Sequence, residues 1–343
     1  MLTKNINLVD MRKRGEYTEV MSIKSEILKN LEENKGAAIS GESLAETLGV
    51  SRTAVWKAIN SLRKEGYQIE ADSGKGYTLS AQSDFLSKEG ILPYLNTPVP
   101  ILVYDSLEST NKTATALAME GGAYQTTILA GTQTKGRGRL GRSFYSPEGT
   151  GIYMSMILEP SFDLRKAVLI TAAASVAVAK AMEKVCQVKP EIKWVNDVYV
   201  NQKKVCGILT EAVSNVETGQ ITHLILGIGI NCFTEHFPEE AGEYAGSIQG
   251  EFSKNQLAAQ VINEVLAVME TLEERSFIGY YRQHSMILGK PIKAFRLGRE
   301  GSRNGTAVAI DDNGALVIEY DDDGTTEVLS SGEISIRLGD KHD

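Results

Sequence analysis

Residues 134–144 read TKGRGRLGRSF, the stretch of this 343-residue sequence densest in both glycine and positive charge. Gly136-x-Gly138-x-x-Gly141 has the spacing of the dinucleotide-binding fingerprint, which must follow a strand and open a helix so that the helix N-terminus meets a pyrophosphate. The preceding TTILAG supplies a strand. The following RSFYSPEGTGIY is broken by Pro147, Gly149 and Gly151, so no helix can start there and the fingerprint fails. A Walker A loop fails as well, because no Gly-Lys-Ser/Thr follows. What remains is a flexible loop carrying Lys135, Arg137, Arg139 and Arg142. Its glycines let backbone N–H groups approach a ligand, and its arginines offer forked donors that match phosphate or carboxylate oxygens. A solvated basic turn is the plainer alternative; the density of arginine favours an anion clamp that orders around its ligand.

Four other segments carry polar groups where chemistry could use them, each with a plain structural reading beside it. SLESTN (Ser106–Asn111) places a hydroxyl pair before the helix-like KTATALAME, and taken singly it is an N-cap. KWVND (Lys193–Asp197) ends a short strand, where an Asx turn would suffice. Lys204 opens the apolar strand KVCGIL, whose Gly207 permits close approach of a flat group or another backbone. GIGIN (Gly227–Asn231) leaves two bare positions on one strand, for tight packing or for a ligand lying across it.

The elements that must position these groups fall into three regions. Helical spacing begins at Ile23, Ile27 and Leu31. A short helix then carries Leu44 and Leu48, a turn follows at Gly49-Val50, and Ser51 can cap a second helix bearing Val55, Ile59 and Leu62 on one face. YQIEADSGKGYTLS alternates as two strands about a turn, completing a winged helix-turn-helix over 21–82. Residues 83–287 mix strands (101–104, 126–130, 151–158, 192–193, 204–212, 223–230) with helices, one after Leu164 and one capped by Ser253-x-x-Gln256, which is a mixed α+β domain. Residues 288–343 hold five short strands divided by Gly-containing turns, a small antiparallel barrel. Residues 1–20 have no periodicity and read as a mobile leader. The DDNG and DDDG turns invite a calcium reading, but a loop opening at Asp321 has Thr326 where an EF-hand needs glycine.

Bulk properties exclude several classes. The net charge is −8, so a basic site must be local. The longest uncharged apolar-rich run, Ala167–Ala179, is shorter than the ~20 residues a membrane span needs. Cys186, Cys206 and Cys232 form no CxxC, and His223, His236, His284 and His342 are scattered, so neither a disulfide framework nor a metal site is indicated. A cytoplasmic protein without a membrane partner is expected.

The winged helix is neutral overall, with eight Lys/Arg against eight Asp/Glu between Met21 and Ser80. Winged helices also dock proteins. The helix-turn-helix at 41–65, however, carries Arg52, Lys57, Arg63 and Lys64 on its second helix, Ser51 and Thr53 at the helix tip, and Lys75 in the presumed wing. That placement suits phosphate contacts with the tip reading base edges, so Ser51, Arg52, Thr53, Lys57 and Lys75 are the candidate DNA contacts.

In order along the chain, STN, TKGRGRLGR, KWVNDV, KKVCGIL, GIGIN and a terminal small barrel closely resemble the biotin–protein ligases. With the winged helix in front, the chain resembles the bifunctional ligase/repressors of that family, from about residue 21 to 337. The resemblance implies a class II synthetase-like mixed α/β catalytic domain and an SH3-like C-terminal barrel. It implies that biotin's carboxylate attacks the α-phosphate of ATP, with Mg²⁺, to form biotinyl-5'-AMP. A lysine of a biotin carboxyl carrier protein then takes the biotin. It further implies repression at operator DNA with the adenylate as corepressor, acting as a homodimer when adenylate-bound.

Residue by residue, the resemblance gives Ser109, Thr110, Asn111, Gln133, Arg137, Gly138, Arg139 and Lys204 to biotin, and Trp194, Asn196, Asp197, Gly207 and Asn231 to the nucleotide. Arg137, Arg139, Lys204 and Asp197 become the catalytic candidates, Asp197 either near Mg²⁺ or orienting the incoming lysine. No protein-held metal site is implied. Three positions depart from the pattern: Val195 stands where proline is commoner, Phe144 replaces a tryptophan while keeping an aromatic wall, and Lys135 adds a charge. The competing readings are a lipoate–protein ligase, a repressor whose core only senses ligand, and a ligase with a vestigial DNA domain.

Overall fold

The computed structural model describes residues 22–159, 167–214, 220–242, 244–296, 301–330 and 334–338. The expected leader at 1–20 lies outside them. The N-terminal unit runs α1 (Ile23–Glu33), β1 (Ala38–Ile39), α2 (Gly41–Leu48), α3 (Arg52–Lys64), β2 (Ile69–Asp72) and β3 (Gly76–Leu79). Each helix begins on a serine, Ser22, Ser40 or Ser51, whose Oγ accepts the backbone N–H three residues on, satisfying one donor that the first turn leaves unpaired. Gly49 closes α2 at a left-handed φ of 63°, which lets the chain turn at once into α3. Ile27, Leu31, Leu44, Ile59, Leu62 and Leu79 close a core of the unit's own, and β1 and β2 flank β3 as the wing.

After α4 (Lys88–Ile91) come β4 (Ile101–Leu107), α5 (Thr110–Met119), β5 (Thr127–Gln133), β6 (Gly151–Leu158), α6 (Ala167–Cys186), β7 (Glu191–Lys193), β8 (Asp197–Val200), β9 (Lys203–Ser214), β10 (Ile221–Asn231), α7 (Glu239–Gly242), α8 (Lys254–Glu270) and α9 (Ile278–Gln283). Seven strands form one sheet in the order β4-β5-β6-β10-β9-β8-β7, parallel only between β4 and β5. The Ala-rich α6 lies buried with α8 against one face of this sheet, its small side chains allowing close approach. Every side chain of β6 is buried, as expected of a central strand covered on both faces.

One element differs from expectation. Lys193 and Asp197 do not lie at the end of a single strand. Lys193 ends β7 and Asp197 begins β8, paired with each other across a tight hairpin. The run VNDV is too short and too mixed in polarity to announce a second strand by periodicity. The C-terminal residues form β11 (Pro291–Arg296), β12 (Arg303–Ile310), β13 (Leu316–Tyr320), β14 (Thr326–Leu329) and β15 (Ile334–Leu338), an antiparallel sheet ordered β14-β13-β12-β11-β15. Its apolar face joins the core of the seven-stranded domain, and Trp194 Nε1 donates to the Gly314 carbonyl at 2.8 Å, tying the KWVND hairpin to it. Asp322 and Asp323 pair with Arg303 instead of facing a cation. No described helix is long and apolar enough to cross a membrane.

Candidate functional site

The cleft opens over the faces of β5, β9 and β10, between the N-terminal end of α5 and the basic loop. The loop is a tight hairpin. Arg137 bridges to Ser143, Phe144 N donates to Gly136 O at 2.9 Å, and Gly138 N to Arg142 O at 2.7 Å. A Cβ at Gly136 would sit 2.3 Å from the Phe144 carbonyl, so only glycine permits this crossing. No helix follows the loop; the next element is β6.

The hydroxyl side of the cleft is built at the start of α5. Ser109 occupies the N-cap position and is buried, yet its side chain makes no cap bond. The helix's first N–H, of Thr110, is satisfied instead by Gln133 Oε1 from β5 at 2.8 Å, and the Thr110 hydroxyl shares that oxygen at 3.2 Å. Gln133 Nε2 donates to Ser146 Oγ at 2.9 Å, which fixes its amide orientation. Behind them Ser155, wholly buried in β6, sits 2.8 Å from Thr110 Oγ1 and 2.6 Å from Asn111 Oδ1. Asn111 presses against the bare backbone of Gly227, where a Cβ would fall 2.1 Å from Oδ1. The alternation of GIGIN thus serves a contact with α5 and, at Gly229, a contact with the ring of Phe144, 2.6 Å from any added Cβ.

The charged side is built from two hairpins facing each other. Arg139 Nη1 donates to Asn196 Oδ1 at 3.0 Å, and Asn196 Nδ2 donates to Ile208 O at 3.0 Å. Burial pushes the Arg139 guanidinium below its ordinary value, and the charge of Asp197 acts against that push; a guanidinium still stays charged at neutral pH. Lys204 Nζ lies 2.7 Å from Asp197 Oδ1. Arg137, Arg139, Arg142 and Lys204 thus share one cleft in which Asp197 is the one carboxylate among the described lining residues.

Of the residues singled out in the sequence, Ser109, Thr110, Asn111, Gln133, Arg137, Gly138, Arg139, Trp194, Asn196, Asp197, Lys204 and Gly207 line this cleft together. Asn231 does not: at the end of β10 its Nδ2 donates to Gly246 O at 3.1 Å, and its Oδ1 is buried with no partner. Lys135, expected to add to the clamp, turns away to Glu108 at 3.4 Å. Ser146, Ser155 and Glu211 stand behind the lining and were not expected from the sequence. They carry no local signal: sheet register brings Ser155 and Glu211 there, and the return of the loop onto Gln133 brings Ser146.

On the winged helix, Arg52 is exposed but paired with Glu42, while Thr53 and Lys57 are exposed on the same outer face of α3. Trp56, 57% exposed, shares that face and was not singled out by charge. Lys75 lies in the wing turn beside Asp72 at 3.4 Å. Ser51 is spent as the N-cap of α3. Ser51→Ala is expected to lower the stability of the winged helix by about 1 kcal/mol, read as an earlier urea transition of the full chain.

A winged helix-turn-helix joined to an α/β domain that gathers arginines, a lysine and hydroxyls in one cleft defines a DNA-binding type of module fused to an anion-handling enzyme core. Family models match in the same order: an HTH domain at 24–78, the biotin/lipoate A/B protein ligase family at 103–231, and the biotin protein ligase C-terminal domain at 287–337. The bifunctional ligase/repressor BirA of Bacillus subtilis (strain 168) is 36% identical over 88% of this chain and 94% of its own length. The protein of that name from Escherichia coli (strain K12) is 31% identical over 88% and 94%. A biotin protein ligase from Aquifex aeolicus, solved in complex with biotin and ATP, superposes with a TM-score of 0.61 at 29% identity, covering 70% of this chain and 99% of that one. The chain belongs to the biotin protein ligase family, in its bifunctional ligase/repressor branch.

Proposed function

We propose that this protein activates biotin with ATP as biotinyl-5'-AMP, transfers the biotin to a lysine of biotin carboxyl carrier protein domains, and represses biotin genes by binding operator DNA with the adenylate as corepressor. The observation that carries the ligase reading is the convergence of Arg137, Arg139 and Lys204 on one cleft floored by bare glycines and walled by hydroxyls and Phe144.

In the first step a carboxylate oxygen of biotin attacks the α-phosphorus and pyrophosphate leaves. Two anions must be held together, so the chain's contribution is charge and alignment. Arg139 and Lys204 hold the acyl-phosphate oxygens, and Arg137 with Gly138 closes over biotin, whose head sits among Ser109, Thr110, Asn111 and Gln133. Trp194, Asn196, Asp197 and Gly207 surround the nucleotide, with Asn231 outside the lining and left to the backbone of Gly246. Mg²⁺ fits this donor set as the companion of a triphosphate, which needs only one or two protein carboxylates; Asp197 would hold it, and it would neutralise charge on the leaving pyrophosphate. In the second step the acceptor lysine's amine attacks the acyl carbon and AMP leaves. Closing the loop over the mixed anhydride keeps water from hydrolysing it.

Purified protein is assayed for ATP–pyrophosphate exchange with biotin, with lipoate, and with neither. Biotin-dependent exchange is the expected result. Exchange with lipoate alone would move the protein to the sister ligases, and no exchange with either acid would leave a sensor in place of an enzyme.

For the DNA half, Thr53 and Lys57 on α3 and Lys75 in the wing face operator DNA together with Ser51 and Arg52, over a unit spanning 21–82. The catalytic unit spans 83–287 and the C-terminal unit 288–343. A homodimer formed when adenylate is bound presents two recognition helices to a two-part site, and the same reading places the protein in the cytoplasm. Lys57→Ala is expected to weaken operator binding about tenfold at moderate salt and to reduce the slope of log affinity against log salt by about one. Unchanged binding and slope would point to a vestigial DNA domain.

A further inference from the structure

A carboxylate stands at the back of a site built to receive anions. Glu211 lies on β9, two and four residues beyond Leu209 and Gly207, which line the cleft from the same face of the strand. Glu211 itself is not part of the lining. Its two oxygens are divided between two residues that are: Oε2 accepts from Asn111 Nδ2 at 2.7 Å, and Oε1 lies 3.0 Å from Arg137 Nη2. The Asn111 amide is held from its other side by Ser155, whose hydroxyl is 2.6 Å from Oδ1.

One side chain therefore joins the start of α5, the sheet and the basic hairpin. The Arg137 side chain is 53% exposed, whereas that of Glu211 is only 26% exposed. An exposed arginine held by an equally exposed partner gains little, because both side chains lose freedom and water screens the charge. Here one end of the pair is already anchored by Asn111, so that loss is smaller. The contact engages one of the guanidinium's five N–H donors, leaving others for a ligand.

Resting on the ligase reading above, we infer that Glu211 is a positioning residue that holds Arg137 over the bound adenylate and sets the amide of Asn111 beneath it. Glu211 touches neither substrate; it acts through the two residues it joins. The prediction is about retention: with Glu211 in place, the clamp stays closed over the adenylate until an acceptor arrives.

The test uses the full chain, loaded with biotin and Mg-ATP, desalted, and followed for loss of biotinyl-adenylate without acceptor. Glu211→Gln preserves size and an acceptor for Asn111 but removes the charge that holds Arg137. It is expected to release adenylate about tenfold faster than the parent, the fold-change that corresponds to ~1.4 kcal/mol, with an unchanged melting temperature before loading. Arg137→Ala is expected to show a similar increase, and the double variant to release no more than about twice as fast as Arg137→Ala alone, as for two residues in one network. Glu211→Gln retaining adenylate like the parent, or its effect multiplying in full with that of Arg137→Ala, would overturn the inference. A parent that forms no adenylate would overturn the ligase reading itself.

Discussion

Arg139→Ala lowers biotin-dependent ATP–pyrophosphate exchange by about 10²- to 10³-fold, the cost of removing one preorganised donor from a site where negative charge develops. Three observations set the size of the effect. Arg139 is half-buried where Arg137 and Arg142 are exposed, so water screens its charge less than theirs and burial already pulls its guanidinium below the ordinary value. It is held by Asn196, which is itself held by the backbone of β9, so it needs no reorganisation to meet an anion. Its neighbour Arg142 also lines the cleft but is exposed, so water and salt screen its charge and it does not replace Arg139. Rate measurements at saturating biotin and ATP check this: a fall in kcat with KM for biotin changed less than tenfold is expected. A variant with parental kcat would remove Arg139 from the chemistry.

Gly227→Ala carries the second large effect, by sterics alone. The added Cβ falls 2.1 Å from Asn111 Oδ1, 2.8 Å from its Cγ and 2.9 Å from its Nδ2. The asparagine has nowhere to retreat, being tied to Ser155 in β6 and Glu211 in β9. Either α5 shifts outward or Asn111 swings into the cleft, and overpacking of this kind costs roughly 1–3 kcal/mol. The expectation is a rise in KM for biotin of about 10- to 100-fold with a smaller change in KM for ATP, because the clash lies under the hydroxyl side of the cleft and away from Asn196 and Asp197. Calorimetric titration with biotin gives the same answer without turnover. Equal loss for both substrates would mean the substitution damages the sheet itself.

Much of this architecture is legible in the order of the residues. The Ser51 cap, Gly49 and apolar residues at helical spacing mark α1, α2 and α3, because the signals that make those helices are local. A dinucleotide fold is excluded by Pro147, Gly149 and Gly151, which prevent a helix whatever surrounds them. The β7–β8 hairpin is not legible, since four residues of mixed polarity contain no period long enough to read. Nor are the strand ends: β4, β5, β9 and β10 each run one to three residues past the apolar stretch that announces them, because ladder pairing to a neighbour continues where hydrophobic alternation has stopped.

The site divides along the same line. The residue types and their spacing establish which groups are available: an arginine-glycine loop, a hydroxyl pair before a helix, an Asn-Asp pair, a lysine opening a strand, and bare glycines on another. They also establish the family, because those motifs occur in one order along one chain. Which of these groups meet, and which are held in place by others, depends on the packed chain. Packing sends Lys135 away to Glu108, leaves Asn231 on the Gly246 carbonyl, frees Ser109 from a cap bond, and sets Glu211 behind both Asn111 and Arg137. The reason is physical: a motif constrains a few neighbours through backbone geometry, whereas Glu211 and Asn111 lie a hundred positions apart and meet because β9 is hydrogen-bonded to β10 in one register and α5 packs against that sheet.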